Sequence, residues 1–335
     1  MIKTKKITIL GLGSWGYALT MVLHDKGHLI NVWEYDKERL KRLEKDRKFD
    51  LIQGTEIPEN IFLTNDIQEA CLGSDLVVFA VPSHGIRSVA KLLKDKNIKP
   101  KRILSVAKGL EYETLFSMTE VVADELGYPN ADIYALSGPT HAEEVSRKIF
   151  TTVVIAGEDE LVLKELQEVF AIDYFRVYIS QDLRGVELGG AIKNVIAIAT
   201  GIADGLNLGD NTKAAIITRG LAEISRLGKL SGAKPETFYG LSGLGDLAVT
   251  CISQHSRNRY FGEQLGRGRK YQDILNEMKM VAEGVSAAKS IYKLAGEYNV
   301  EMPIVREVYN IVYYNKDPKV AVVDLMGRSL KEEES

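Results

Sequence analysis

At roughly 100–200 residues per domain, the 335-residue chain predicts two domains, and 45% hydrophobic with 27% charged residues is a globular composition, neither disordered nor fibrous. Lys and Arg total 43 against 46 Asp and Glu, a net charge of −3. No bulk positive field draws nucleic acid or anionic lipid, so an anionic ligand must be held by a local site. Cys71 and Cys251 are the only cysteines; they match neither a disulfide framework nor a metal cluster and point to a reducing cytoplasm.

Lys3, Lys5 and Lys6 precede an uncharged run over 7–23, which by composition imitates an export signal or a short membrane span. Its β-branched start, its three glycines and the lack of a small-residue cleavage pattern favour a strand, a turn and a helix instead. Apolar runs over 7–10, 29–33, 76–81, 103–106, 133–136, 151–156 and 175–178 read as buried strands. Helical patterns over 17–25, 37–47, 86–95, 114–126, 142–146 and 160–170 alternate with them, the signature of a parallel sheet between helices.

After about Gln181 the strand signals stop. Segments 185–205, 211–230, 254–265, 271–278, 286–298, 303–313 and 319–325 read as helices, with Asn211 and Thr212 as a helix start and Pro303 in a first turn. The chain therefore divides at 182 into an α/β domain (1–182) and an all-α domain (183–335).

Gly11-Leu12-Gly13-Ser14-Trp15-Gly16 is a G-x-G-x-x-G turn between a predicted strand and helix, the arrangement that brings a pyrophosphate to a helix N-terminus in a Rossmann-type dinucleotide domain. Glu34 ends the second strand 18 positions after Gly16, where a carboxylate accepts ribose hydroxyls and repels a 2′-phosphate. This favours NAD over NADP, although Lys37 and Arg39 follow closely. Val81-Pro82-Ser83-His84, Ala107-Lys108-Gly109 and Ser137-Gly138-Pro139-Thr140 all lie at strand ends on one rim of the sheet.

Lys193 stands in an otherwise apolar or small run, 189–199. Desolvation lowers an ammonium pKa, so this lysine is a candidate acid/base; the alternative is a snorkelling lysine or one paired with a buried acid such as Glu187. Asn194 beside it can orient a carbonyl. The run 240–246 delivers one carboxylate, Asp246, from a glycine-rich turn. Ser256-Arg257-Asn258-Arg259 offers the charge and forked donors that suit a phosphate monoester, unless its arginines are simply a solvated helix face.

These segments in this order resemble bacterial NAD(P)-dependent glycerol-3-phosphate dehydrogenases over nearly the whole chain. The resemblance rests on 11–16, 81–84, 107–110, 137–140, 189–194, 218–228, 243–247, 256–261 and Glu283-Gly284. It implies hydride transfer between sn-glycerol 3-phosphate and dihydroxyacetone phosphate, serving phospholipid synthesis in the cytoplasm. It also implies NAD or NADP contacts at Gly11, Gly13, Ser14, Trp15, Gly16, Tyr35, Lys108, Ala142, Arg257, Val281 and Glu283. Substrate contacts fall at Lys108, Gly138, Thr140, Lys193, Asp246, Ser256, Arg257 and Asn258, and catalytic roles at Lys193, Lys108 and Asp246. No metal, nucleic-acid partner or membrane span is expected, and a homodimer is. Another dehydrogenase of Rossmann-plus-helical build, acting on a 3-hydroxy or sugar acid, and a dinucleotide sensor without turnover are the competing readings.

Overall fold

A computed structural model describes residues 4–129, 132–278, 282–330 and 332–333. Apolar strand residues build an eight-stranded sheet from β1 (Lys6–Leu10), β2 (Leu29–Trp33), β3 (Phe62–Thr64), β4 (Leu76–Phe79), β5 (Ile103–Ser105), β6 (Ile133–Ser137), β7 (Thr151–Ala156) and β8 (Phe175–Ser180). The strand order is 3-2-1-4-5-6-7-8. All pairings are parallel except β6 with β7. The order reverses between β1 and β4, and in open parallel sheets the crevice at such a switch point takes the ligand.

Helices α1 (Ser14–Asp25), α2 (Lys37–Asp46), α3 (Ile67–Cys71), α4 (Ile86–Asp95), α5 (Met118–Leu126), α6 (Ala142–Val145) and α7 (Glu160–Phe170) cover the sheet. Asp36, Asp66 and Asp159 cap α2, α3 and α7 with their side chains. A capping box between Ser117 and Glu120 starts α5, later than the expected 114 because Leu115 adopts a φ of +60° that a helix does not allow. The sheet faces bury two cores, one around Ile9, Val78 and Leu104 and the other around Leu10, Phe79 and Val121. The run over 7–23 folds as β1, turn and α1.

From Leu183 onward the described elements are helical: α8 (Leu183–Gly205), α9 (Gly209–Leu230), α10 (Asp246–Ile252), α11 (Arg257–Gly266), α12 (Tyr271–Glu277), α13 (Glu283–Glu297), α14 (Pro303–Tyr314) and α15 (Pro318–Met326). α9 starts two residues ahead of the expected Asn211, and Asn211 caps nothing there. β3, α3 and α10 lie outside the sequence expectations.

α8 is the axis of this half. By length and composition it could cross a membrane, yet 94% of its most apolar stretch is buried within the fold. Ile192, Val195, Ile196 and Ile198 are fully buried, each contributing on the order of 1.5–3 kcal/mol. A methyl group at Gly201 would stand 2.0 Å from the Arg259 carbonyl oxygen, and one at Gly262 would stand 2.0 Å from that of Ile198, so α8 and α11 touch backbone to backbone. Val154 and Ala156 of the sheet pack on Val186 of α8, with Leu183 and Leu241 beside them. That contact sets the helical half against the sheet.

Candidate active site

The turn after β1 is built by sterics. Gly11 takes a φ of +106°, and a methyl group at Gly16 would lie 2.1 Å from the Gly11 carbonyl oxygen. At Gly13 it would meet no atom within 4 Å. Gly13 is also the N-cap of α1, which has no side-chain cap and no acid in its first turn, so its N-terminal N–H groups are available to an anion. Ser14 is buried beside it, and Trp15 Nε1 is buried with no partner among the described residues. Open space, free helix donors and an orphaned ring N–H fit a dinucleotide pyrophosphate. Ala142 is buried at the start of α6, which packs on α1.

Glu34 lies at the end of β2 as expected, but its charge is not free: Arg39 Nη1 donates to Glu34 Oε2 at 2.5 Å. The (i, i+5) pair bridges a strand end and a helix, a relation that helical spacing does not reveal. Tyr35 beside it is 77% exposed.

At the other side of the crevice, residues from three segments converge on one carboxylate. Lys193 of α8 is 6% exposed and Asp246, the first residue of α10, is fully buried. Lys193 Nζ donates to Asp246 Oδ1 and, at 2.8 Å, to Thr250 Oγ1. Lys108 Nζ donates to Asp246 Oδ2 at 2.7 Å, to the Gly138 carbonyl at 3.1 Å and to Thr140 Oγ1 at 3.4 Å. The Lys108 stem passes over Gly190, where a methyl group would come within 3.3 Å of it.

Two ammonium groups thus share one carboxylate, which leaves a positive charge in a desolvated site. Burial lowers the Lys193 pKa to about 8; the Asp246 charge works against that shift and the Lys108 charge adds to it. Thr250 was not singled out in the sequence, because a threonine in an apolar run carries no distinguishing signal. Glu187, the alternative partner, lies elsewhere and accepts from the Thr119 N–H and hydroxyl.

The 256–259 cluster divides its labour. Ser256 Oγ caps α11 through the Arg259 N–H at 3.2 Å. Asn258 Nδ2 donates to Asn194 Oδ1 and Asn258 Oδ1 accepts the Gly284 N–H, both at 2.9 Å. Arg259 is held by Asp204 at 2.7 Å. Arg257 is exposed and acts electrostatically on half-buried Glu283 together with Lys108, Lys193 and His84, although burial still raises the Glu283 pKa. Val281 lies outside the described residues. Among the described residues no group of three or more His, Cys, Asp or Glu could hold a metal ion. Burial pushes both cysteine thiols up to about 12.

Comparison with known proteins gives this geometry its context. Residues 6–162 match the family model of the NAD-dependent glycerol-3-phosphate dehydrogenase N-terminus, and 182–323 that of its C-terminus. The chain is 48% identical to the glycerol-3-phosphate dehydrogenase [NAD(P)+] of Fusobacterium nucleatum, covering 97% of this chain and 98% of the relative. It is 46% identical to that of Syntrophotalea carbinolica, covering 98% and 99%. The crystal structure of glycerol-3-phosphate dehydrogenase from Coxiella burnetii superposes with a TM-score of 0.92 at 37% identity, covering 97% of this chain and 99% of that one. With both family models matched and relatives aligned from end to end, the chain belongs to the NAD(P)-dependent glycerol-3-phosphate dehydrogenases.

Proposed function

We propose that Lys193, paired with Asp246, is the proton-transfer group with which this oxidoreductase interconverts sn-glycerol 3-phosphate and dihydroxyacetone phosphate. The observation that carries the assignment is the sharing of the buried Asp246 carboxylate by Lys193 and Lys108. NAD or NADP, when bound, supplies or accepts the hydride. Gly11, Gly13, Ser14, Trp15 and Gly16 would hold its pyrophosphate side, with Tyr35, Ala142, Lys108, Arg257, Val281 and Glu283 as further contacts.

In the reductive direction the Lys193 ammonium gives its proton to the carbonyl oxygen as the carbonyl carbon gains the hydride. Asp246 and Thr250 take two of its three N–H donors, leaving one for that oxygen. Lys108 adds positive potential where the alkoxide charge develops and presents the Gly138 and Thr140 segment to the substrate. In the oxidative direction neutral Lys193 is the base. Arg257, with the Ser256 and Asn258 segment, would hold the phosphate, so that binding energy remote from the carbonyl positions it. Arg257 supplies the charge and forked donors that suit a phosphate monoester, while Ser256, which caps α11, and Asn258, which bonds Asn194, position it.

We further assign dinucleotide binding to 1–182 and substrate binding with catalysis to 183–335. The physiological setting we propose is a cytoplasmic homodimer supplying glycerol 3-phosphate for phospholipid synthesis. The test is loss of NADH and, separately, NADPH absorbance on adding dihydroxyacetone phosphate, with unphosphorylated dihydroxyacetone as control. Phosphate-dependent oxidation is expected; binding of dinucleotide without oxidation would remove the catalytic assignment.

A further inference from the structure

The Arg39 guanidinium ties together three pieces of the adenosine end of the crevice. Its Nη1 donates to Glu34 Oε2 at 2.5 Å and to the Leu12 carbonyl, inside the glycine-rich turn, at 2.7 Å. Its Nε and Nη2 hold Asp50 at 2.6 to 3.2 Å, and its carbon lies 5.5 Å from the centre of the Phe49 ring. The other Glu34 oxygen accepts the Asp36 N–H at 3.0 Å. Glu34 is 6% exposed and has both carboxylate oxygens engaged, while the Arg39 charge is shared between Glu34 and Asp50.

We infer that Arg39 is a cofactor-specificity residue: by offsetting part of the negative charge of Glu34 and Asp50 beside the glycine-rich turn, it admits a dinucleotide carrying a ribose 2′-phosphate. A bare carboxylate at the end of the second strand repels that phosphate and selects the 2′-hydroxyl. An arginine locked onto the carboxylate weakens the repulsion without putting a new anion-binding group on the surface, so NADH and NADPH both bind. The inference rests on the dinucleotide site proposed above. Arg39 acts through Glu34 and is a positioning residue, not a catalytic one.

The test is equilibrium binding of NADH and NADPH, followed by nicotinamide fluorescence, to the wild type, Arg39→Gln, Glu34→Gln and the double variant. The two ligands differ only in the 2′-phosphate, so the ratio of their dissociation constants isolates the charge effect. Uncovering Glu34 in Arg39→Gln should weaken NADPH relative to NADH by about tenfold, as expected for a nearby partly screened charge. Glu34→Gln should shift the ratio the other way by about threefold or more, and the double variant should return it to the wild-type value. An unchanged ratio in both single variants overturns the inference, as does equal weakening of both ligands in Arg39→Gln, which marks a merely structural arginine. Should Arg39→Gln fail to fold, Glu34→Gln decides alone. Wild-type protein that binds neither dinucleotide overturns the parent site and this inference together, an outcome distinct from a flat ratio.

Discussion

Lys193 and Asp246 meet across 53 residues of sequence, one in the middle of α8 and the other at the start of α10, and both are buried. Asp246 is reached by Lys108 on its second oxygen as well. An isolated ammonium in this position would lose its proton or drag in water; an isolated carboxylate would gain a proton. Together, the three groups keep one exchangeable proton at Lys193 with a pKa near physiological pH, where proton transfer is efficient in both directions.

Replacing Lys193 by Ala removes the proton donor and leaves the glycine-rich turn intact. Turnover of dihydroxyacetone phosphate should fall by at least about 10²-fold, the usual worth of a general acid, while NADH titration gives a dissociation constant near that of the wild type. Near-normal turnover in a folded variant would return Lys193 to a structural role.

The pH profile follows from the same pair. Oxidation of glycerol 3-phosphate needs neutral Lys193, so its rate should rise with pH through about 8, and reduction of dihydroxyacetone phosphate should decline over the same range. The Asp246 charge favours the ammonium, so Asp246→Asn should move both limbs to lower pH, in addition to slowing the reaction. Profiles of kcat/KM in both directions check this. A limb that stays in place, or moves to higher pH, would place the titrating proton on another group.

Much of this was legible in the sequence, for identifiable reasons. Apolar runs located β1, β2 and β4 to β8, whereas β3, as short as β5 but at the edge of the sheet with Phe62 exposed, shows no run buried on both faces. Lys193 stood out as the lone charge of the apolar run 189–199. Asp246 was visible as a residue, but its bond to Lys193 depends on how α10 lies across α8, and α10 was hidden because the glycines before it read as a loop. Those glycines serve packing: a methyl group at Gly243 would stand 2.1 Å from the Phe238 carbonyl oxygen, and one at Gly189 would stand 2.6 Å from that of Ser242. The amides of Asn194 and Asn258 looked free for ligands because nothing in the chain order says that they face each other.

Arg257 tests the phosphate assignment. It is exposed and acts on Glu283 in the crevice, and a charged hydrogen bond to phosphate contributes about 1.5–3 kcal/mol. Arg257→Ala should therefore raise KM for dihydroxyacetone phosphate by about tenfold or more, with a smaller loss in kcat, and affect the weak reaction of dihydroxyacetone much less. Steady-state kinetics with both substrates separates the two effects. Equal losses on both would mean that Arg257 acts on the cofactor or on the fold, not on the phosphate.

Glu223 offers a test of the helical half that is independent of the reaction. Its side chain on α9 accepts the Ile304 N–H at 2.8 Å and the Val305 N–H at 3.3 Å, satisfying two donors in the first turn of α14 just after Pro303, which has none to offer. Burial nevertheless raises its pKa to about 7. The folded protein then binds more protons than the unfolded chain between the ordinary glutamate value and about 7. This contribution to stability is complete below that window and is lost as the pH rises through it. Glu223→Gln keeps an acceptor for α14 and does not titrate. Between pH 5 and pH 8 the wild type should therefore lose up to about 3 kcal/mol relative to the variant, read from urea unfolding at the two pH values. A difference that is the same at both would mean that the two helix N–H groups outweigh desolvation and that Glu223 is ionised throughout.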